Sequence, residues 1–248
     1  MKNDYAKLIE NLNNLRLPFI AENFSQAAVH AAAKNLGHTA YLEGLIEGET
    51  SLKHEISIKN KIKNARLPYR KTLEQYNWNH PTKINRMQIE NIFNLDFIEQ
   101  KKNVIFISLP GLGKTHMSVA IAERACSKGF SVLFSPAIDI VNNLSTALSE
   151  KTLDKAIRKY TQPQLLIIDE VGFLSIDKLG ANLLFQVISK RYETGSILLT
   201  SNMAFKNWTK IFDNDSTITS AVLDRLLHHS EVVVIEGKSY RMKDKTEN

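Results

Sequence analysis

Eight consecutive residues near the middle of the chain have the types and spacing of a phosphate-binding loop: Ser108, Leu109, Pro110, Gly111, Leu112, Gly113, Lys114 and Thr115. They follow a short apolar run and open a helical pattern. In such a Walker A loop, backbone N–H groups converge on phosphates, the lysine reaches the β and γ phosphates, and the threonine hydroxyl holds Mg²⁺. The loop therefore predicts a binding site for ATP and Mg²⁺.

The first residue of this loop departs from the usual pattern, which begins with glycine. Glycine avoids a steric cost in a strained turn, whereas Ser108 adds a Cβ atom and a hydroxyl. We expect nucleotide binding to be retained. We also expect Ser108→Gly to raise turnover, because glycine would relieve the strain.

Two carboxylates follow another apolar run, residues 165–168, in the order of a Walker B motif. Asp169 is predicted to organise Mg²⁺, and Glu170 to polarise the water that attacks the γ phosphate. An acidic pair can also cap a strand without any catalytic role. The uncharged run directly before this pair favours the catalytic interpretation.

Three further polar residues are candidates for contact with the γ phosphate. Asn202 follows the apolar run 197–199 and is predicted to sense that phosphate, although asparagine is also a common turn residue. Arg225 stands on an apolar helical pattern, where an unpaired guanidinium is costly. It is either an arginine finger supplied to a neighbouring subunit or the partner in a local salt bridge. Arg241 is either a second sensor or a surface residue.

Basic residues are concentrated in two stretches. Residues 53–71 contain seven basic side chains and one acid, and so carry +6, the formal net charge of the whole chain. Such stretches suit a DNA phosphate backbone, although solvated helix faces have the same composition. The DNA-binding candidates are Lys59, Lys61, Lys63 and Arg66 in the first stretch, and Lys151, Lys155, Arg158 and Lys159, which are predicted to share one helical face, in the second.

Hydrophobic periodicity divides the chain into a helical first part and an alternating second part. Short β-branched runs at 104–107, 131–134, 165–168, 197–199 and 232–235 alternate with helical segments. This pattern predicts an α/β fold whose five-stranded parallel sheet is covered by helices on both sides. The predicted domains are a helical one for DNA or partner binding and assembly, residues 1–75, and an ATPase domain, residues 76–248.

Composition restricts the class of protein further. The chain has 248 residues, of which 43% are hydrophobic and 23% charged, as is ordinary for a globular protein. No apolar run approaches the roughly 20 residues that a membrane span needs, and the N-terminus lacks the apolar core of a signal peptide. We therefore expect a cytoplasmic protein without a membrane partner. The single cysteine, Cys126, permits neither an internal disulfide nor a cysteine-based zinc site.

Taken together, these residues resemble the AAA+ initiator group of ATPases, and within it the IstB-type transposition helpers, which are related to DnaC-type helicase loaders. The resemblance is carried by the loop up to His116, Asp169-Glu170 with Gly172-Phe173-Leu174, Thr200-Ser201-Asn202, Asp224-Arg225-Leu226 and Ser239-Tyr240-Arg241. It also extends upstream to Leu67-Pro68 with Lys71-Thr72-Leu73-Glu74 and so covers nearly the whole chain.

This resemblance implies a DNA-stimulated ATPase that uses ATP and Mg²⁺. It further implies a homo-oligomer that forms on double-stranded DNA and assists a transposase. Two alternatives remain open. One is a replicative helicase loader, which shares the ATPase core, and the other is a DNA assembly module that binds nucleotide but hydrolyses it poorly.

Overall fold

The computed structural model describes residues 5–240. The chain folds into two compact units that divide between Asn60 and Lys61. The functional division expected between residues 75 and 76 stays a prediction, since compactness does not test which residues bind DNA. Within the described range, no helix is long and apolar enough to cross a membrane.

The first unit consists of helices. They are α1 (Ala6–Asn14), α2 (Pro18–Ala33) and the greater part of α3 (His38–Asn64). Pro18 lies in the first turn of α2, where a missing N–H is not needed by the helix. The buried carboxylate of Glu49 on α3 accepts a 3.1 Å hydrogen bond from the N–H of Ile20, one of the groups that a helix start leaves without a partner. A helical N-terminal region is thus confirmed.

The second unit is built on a five-stranded sheet. Its strands are β1 (Asn103–Ser108), β2 (Val132–Pro136), β3 (Leu165–Val171), β4 (Ser196–Ser201) and β5 (Ser230–Ile235). Its helices are α4 (Arg86–Ile92), α5 (Asp96–Glu99), α6 (Lys114–Ser127), α7 (Ala137–Ser149), α8 (Leu153–Thr161), α9 (Lys178–Arg191) and α10 (Ser216–Leu227), with 3₁₀ turns at Leu73–Gln75 and Phe205–Lys210. All four pairings are parallel, in the order β2-β3-β4-β1-β5. The predicted α/β class and parallel sheet are confirmed.

The strands are apolar throughout because helices cover both faces of the sheet. Val104 and Phe106 of β1 point to one face, where they are buried with Met117 of α6. Ile105, between them, points to the other face and is buried with Ile140 of α7. Because side chains alternate along a strand, successive residues are buried in two separate hydrophobic layers, one on each face of the sheet.

The parallel arrangement brings the ends of three strands to one edge of the sheet. β4 lies between β1 and β3 and pairs with both. Ile107 near the end of β1 is level with Ser201, and Ile168, the residue before Asp169, is level with Leu199. Ligands of open α/β sheets bind in the crevice outside these carboxyl ends. The loop after β1, the acidic pair of β3 and Asn202 after β4 all lie there.

Candidate nucleotide-binding site

The phosphate-binding loop joins the end of β1 to the start of α6. Gly111 and Gly113 take left-handed backbone conformations, with φ of 81° and 85°, which L side chains rarely adopt. Space is restricted as well, because a Cβ atom at Gly113 would lie 2.5 Å from Cε2 of Tyr76. Since α6 begins at Lys114, the unpaired N–H groups of its first turn face the loop.

Ser108 does not occupy a strained position. It is the last residue of β1, is buried, and is level with Ile235 of β5. Its φ is not among the left-handed ones, which in this loop belong to Gly111 and Gly113. The strain expected at Ser108 is therefore absent, because extended geometry accepts a Cβ atom. Ser108→Gly therefore has no backbone strain to relieve, and the increase in turnover that was expected from such relief has no physical basis.

The ammonium group of Lys114 is held over the loop. Its Nζ donates to the carbonyl oxygens of Ser108, at 2.7 Å, and Leu109, at 3.1 Å. It also donates to the hydroxyl of Ser108 at 3.0 Å, while that hydroxyl donates to the Leu109 carbonyl at 2.9 Å. The serine hydroxyl thus gives Lys114 a contact that glycine at this position lacks.

Asp169 is the centre of a hydrogen-bond network that joins the ends of β3 and β4 to the start of α6. Its buried carboxylate accepts from the hydroxyl of Thr115, with 3.0 Å from Oγ1 to Oδ2. The hydroxyl of Thr200, at the end of β4, donates to the other carboxylate oxygen. The predicted magnesium ligands Thr115 and Asp169 are therefore in direct contact, and Thr200 is a further partner that the sequence did not single out for itself.

Glu170 is exposed and has a left-handed backbone, with φ of 61°. The pairing of β3 with β4 is irregular between Ile168 and Val171, so Glu170 interrupts the regular ladder. Its N–H donates to Oγ1 of Thr200 at 2.9 Å. Non-glycine residues in this conformation are rare and concentrate at functional sites. One threonine thus orients Asp169 through its carboxylate and Glu170 through its backbone.

A cavity of about 380 Å³ opens in front of these residues. Lys114, Thr115, Glu170, Thr200 and Asn202 line its phosphate-binding end. Oδ1 of Asn202 is buried and accepts no hydrogen bond from any described residue. The residues that the sequence predicted from three separate segments therefore share one cavity.

The groups around this cavity fit a magnesium–nucleotide pair. Thr115 and Asp169 supply hard oxygen donors of the kind that Mg²⁺ prefers. Lys114 supplies a cation, and the start of α6 supplies N–H groups for phosphate. The buried amide oxygen of Asn202 can accept a hydrogen bond from a water held in the cavity.

A segment ahead of β1, residues 69–80, packs against the loop, a contact that the sequence did not predict. The hydroxyl of Tyr76 donates to the Leu112 carbonyl at 3.0 Å, and burial raises the pKa of Tyr76 to about 12, which keeps the phenol protonated as a donor. His116 on α6 contacts the Thr72 carbonyl through Nε2 at 2.9 Å. Residues of this segment also line the cavity: Tyr69, Lys71, Gln75, Tyr76, Asn77 and His80.

The segment after β5 holds the loop from the other side. The N–H of Tyr240 donates to the Gly111 carbonyl at 2.9 Å. A Cβ atom at Gly111 would lie 2.1 Å from Oγ of Ser239, so only glycine permits this approach. His80 contacts the Lys238 carbonyl and stacks edge-on against Tyr240. The aromatic residues before the loop and Tyr240 after β5 were a possible signal of these contacts. Their spacing in the sequence does not show that the two segments meet at the loop. The neighbouring Arg241 lies outside the described residues.

Arg225 is placed at the opposite end of the sheet from the loop. It borders a small cleft together with Asn103, the first residue of β1, and Ile197 near the start of β4. Its guanidinium lies 4.7 Å from the centre of the Phe185 ring and donates to the Ala221 carbonyl at 3.2 Å. Within residues 5–240 no carboxylate forms an ion pair with it. The structure therefore does not bring Arg225 together with the other predicted site residues.

The second basic stretch differs from its prediction in one residue. Lys151 precedes α8 and has a left-handed backbone, with φ of 59°, so it does not belong to that helix. Three positions of the predicted helical face remain on α8, namely Lys155 and, three and four residues after it, Arg158 and Lys159. The prediction was wrong for Lys151 because a turn between α7 and α8 interrupts the helical pattern.

The part of the first basic stretch that belongs to the second unit ends near the second stretch. Lys61 and Lys63 lie in the last turn of α3, while Lys59 pairs with Glu55 at 3.9 Å. Beyond α3, the Ala65 carbonyl accepts from the Phe134 N–H of edge strand β2. Burial, and then the positive charge of Arg66, lowers the pKa of Lys159. Arg66 therefore lies near α8, and we name Arg66, Lys155, Arg158 and Lys159 the β2-edge basic surface.

Comparison with known proteins gives consistent matches along the chain. The model of the family described as IstB-like ATP binding protein matches residues 10–248. An ATP-binding protein of insertion sequence IS5376 from Geobacillus stearothermophilus is 39% identical over 239 residues, which are 96% of this chain and 95% of that protein. One of insertion sequence IS232 from Bacillus thuringiensis is 37% identical over 98% and 97% of the two chains. A DnaC helicase loader crystal structure superposes with a TM-score of 0.53 at 22% identity, over 66% of this chain and 96% of that one.

Proposed function

Because the chain belongs to the IstB-like ATP-binding protein family, we propose that it is a magnesium-dependent ATPase that assembles on double-stranded DNA and assists a transposase. The observation that carries the proposal is the single cavity shared by Lys114, Thr115, Glu170, Thr200 and Asn202. Relatives 39% and 37% identical are named as insertion-sequence proteins, which supports a transposase as the partner.

In this proposal each side chain at the loop has a distinct task. Lys114 leaves the carbonyls of Ser108 and Leu109 and binds the β and γ phosphates, assisted by the N–H groups of α6. Thr115 and Asp169 hold Mg²⁺, which when bound neutralises charge on the phosphate oxygens. Glu170 accepts a proton from the attacking water, and Asn202 orients that water.

The proposal assigns the arginine of the reaction to a second subunit. Among residues 5–240 the cavity is lined by two lysines, Lys71 and Lys114, and by no arginine, whereas an arginine that stabilises the developing charge on the phosphoryl group is commonly supplied by a second subunit. Arg225 cannot reach its own loop, because β1 separates the two by about 17 Å, the length of its six residues. A head-to-tail neighbour brings Arg225 to the γ phosphate, and such contacts propagate into rings or helices.

For DNA, the proposal uses the β2-edge basic surface. Its four positive side chains combine the end of the first basic stretch with α8. A duplex carries one negative charge per roughly 1.7 Å of axis, so a compact positive surface binds it without regard to sequence. Lys61 and Lys63 on the last turn of α3 extend this charge along the chain.

The test combines ATP hydrolysis with electron microscopy of the protein mixed with duplex DNA and ATP. We expect DNA-stimulated hydrolysis and ordered oligomers in the unaltered protein. Glu170→Gln should bind ATP and accumulate oligomers without turnover, since an amide cannot accept the proton of the attacking water. Lys114→Ala should abolish ATP binding, and with it both the hydrolysis of ATP and the formation of ordered oligomers. Oligomers that form equally well without ATP would contradict the proposal, and binding without any hydrolysis would identify a nucleotide-dependent assembly module.

A helicase loader is the second candidate, favoured by the similarity of fold to the DnaC helicase loader. Capture experiments with the oligomer formed by Glu170→Gln discriminate the two. Retention of the transposase of an insertion sequence, and not of a replicative helicase, is the expected outcome. The reverse result would make the protein a loader while leaving the ATPase site unchanged.

A further inference from the structure

Three potential metal ligands meet at the end of the sheet opposite the phosphate-binding loop. Glu193 lies in the turn between α9 and β4, and His228 and His229 join α10 to β5. One ligand atom from each of the three lies within 4.8 Å of the other two. All three side chains are exposed, and none has a task in the proposed ATPase. Two imidazoles and a carboxylate form a donor set suited to zinc and similar transition metals.

The turn that carries Glu193 is rigidly anchored. Glu193 has a left-handed backbone, with φ of 58°, a strained conformation that surrounding structure must hold. The buried guanidinium of Arg191, directly before the turn, holds it by donating to the backbone carbonyls of Tyr160, Thr161, Pro163, Gln164 and Ser196. A Cβ atom at Gly195 would lie 2.7 Å from Nη2 of Arg191, so the turn packs closely on this group.

The orientation of one imidazole is fixed by a neighbouring phenol. The hydroxyl of Tyr192 lies 2.8 Å from Nδ1 of His228. Metal-binding histidines generally donate their second ring N–H to an oxygen, which leaves the other nitrogen for the metal. In the tautomer in which Nδ1–H donates to Tyr192, the lone pair of His228 is on Nε2 and is available to a metal.

From this geometry we propose that Glu193, His228 and His229 bind one transition-metal ion of the zinc class. Zn²⁺ bonds of about 2.0–2.2 Å put ligand atoms roughly 3.4 Å apart in a tetrahedron, and exposed side chains close the remaining gap by rotation. Three protein ligands leave a fourth position for water. The ion links the turn after α9 to the junction between α10 and β5, beside Arg225 in the same cleft. The site does not depend on the proposed ATPase function.

The test measures zinc binding to the full chain without an affinity tag. Protein stripped with a chelator is dialysed against Zn²⁺ in the presence of excess Mg²⁺ and ATP, which occupy the phosphate-binding loop. We expect one zinc ion per chain and a higher Tm with zinc than without it. His54→Ala, which removes an exposed histidine outside the cluster, is the matched control and should bind zinc as the unaltered protein does.

Variants of the cluster decide the outcome. His229→Ala and Glu193→Gln should each lose the zinc ion and the rise in Tm. Tyr192→Phe should weaken binding by about tenfold, as expected for a group that orients a ligand. Asp169→Asn should retain the ion, which separates this site from the magnesium site. Unchanged binding in both His229→Ala and Glu193→Gln, or no binding by the unaltered protein, would overturn the proposal.

Discussion

At the scale of single residues, Thr200 connects the two acidic groups of the proposed reaction. Its hydroxyl donates to Asp169 and accepts from the N–H of Glu170. Asp169 is buried while Glu170 is exposed and strained, so adjacent carboxylates have different surroundings. That difference suits a metal-organising role for the first and a proton-accepting role for the second.

Thr200→Val should therefore impair hydrolysis more than nucleotide binding. The valine keeps the shape of the side chain but removes both hydrogen bonds, so the two carboxylates lose their common support. We expect kcat to fall by roughly tenfold, about 1.4 kcal/mol of barrier, with little change in the dissociation constant for ATP. Thr200→Ser, which restores the hydroxyl, should recover most of the activity. A valine variant with the kcat of the unaltered protein would remove Thr200 from this role.

A second prediction at this scale concerns Ser108. Its backbone is extended, and its hydroxyl accepts from the Lys114 ammonium group beside the carbonyls of Ser108 and Leu109. The two carbonyl acceptors remain in any variant, so Ser108→Ala and Ser108→Gly should both change kcat/KM by less than about threefold, or roughly 0.6 kcal/mol. Steady-state hydrolysis of the two variants side by side is the measurement. Markedly faster turnover with glycine than with alanine would reveal strain at this position after all.

At the scale of elements, the phosphate-binding loop is held between two segments. Residues 69–80 contact it through Tyr76, and residues 237–240 contact it through Ser239 and the N–H of Tyr240. An antiparallel bridge between Lys83 and Glu236 joins the stretches that carry these two segments. The loop is therefore preorganised by parts of the chain that lie far from it in the sequence.

The close approach of Tyr76 makes a sharp prediction for Gly113. Gly113→Ala forces a Cβ atom to within 2.5 Å of the Tyr76 ring and strains the left-handed turn, so ATP binding should be lost. Gly129→Ala is the matched control, because Gly129 has a similar φ of 92° with no atom within 4 Å of the added Cβ. It should lower stability by about 1–2 kcal/mol and leave ATP affinity intact. Equal ATP affinity in the two variants would show that Tyr76 does not restrict the loop.

Helix α8 gives a prediction for DNA. The double charge reversal Lys155→Glu with Arg158→Glu should weaken binding to all duplexes alike. It should also reduce the slope of log K against log salt by about 0.9 for each phosphate that the variant no longer neutralises. The pair Lys206→Glu and Lys210→Glu, exposed lysines on the 3₁₀ turn Phe205–Lys210, imposes the same change of charge elsewhere. Identical salt slopes for the two double variants would make α8 an ordinary solvated helix.

At the scale of the whole molecule, the site and the arginine proposed to complete it lie at opposite ends of the second unit's sheet. The cavity is at the carboxyl ends of β1, β3 and β4, whereas Arg225 borders the first residue of β1. Phe185 and the Ala221 carbonyl position the guanidinium without neutralising it. A charge kept in this way is available to a neighbouring copy of the chain, which agrees with the proposed head-to-tail assembly.

Mixing two inactive variants tests this arrangement. The Arg225→Ala variant keeps the phosphate-binding loop but lacks the arginine finger. The Lys114→Ala variant keeps the arginine finger but does not bind ATP. Arg225→Ala alone should hydrolyse ATP about 10³–10⁵-fold more slowly than the unaltered protein, and Lys114→Ala alone should not hydrolyse it because it does not bind it. Their mixture should regain partial activity where an intact loop meets an intact finger. A mixture of Lys114→Ala with Thr200→Val, whose defects both lie at the loop, should show no such recovery. Failure of the first mixture despite co-assembly would leave Arg225 a structural residue.

The sequence by itself determined the features that depend on neighbouring residues. The glycines, Lys114 and Thr115 form a loop because their order fits a strand–turn–helix junction, and β-branched runs become strands because alternate side chains meet two hydrophobic layers. Since parallel strands end at one edge, Asp169, Glu170 and Asn202 could be assigned to one site from the order of residues alone.

Only the tertiary structure decided the contacts between distant segments. Tyr76 and Ser239 reach the loop, and Thr200 reaches both carboxylates, through close packing that no local pattern encodes. The prediction of strain at Ser108 was wrong because the turn starts after this residue. The prediction that Lys151 lies on the helix was wrong because this residue has a left-handed backbone and precedes α8. Such outcomes depend on which backbone angles the packed chain permits, and these are fixed jointly by residues far apart in sequence.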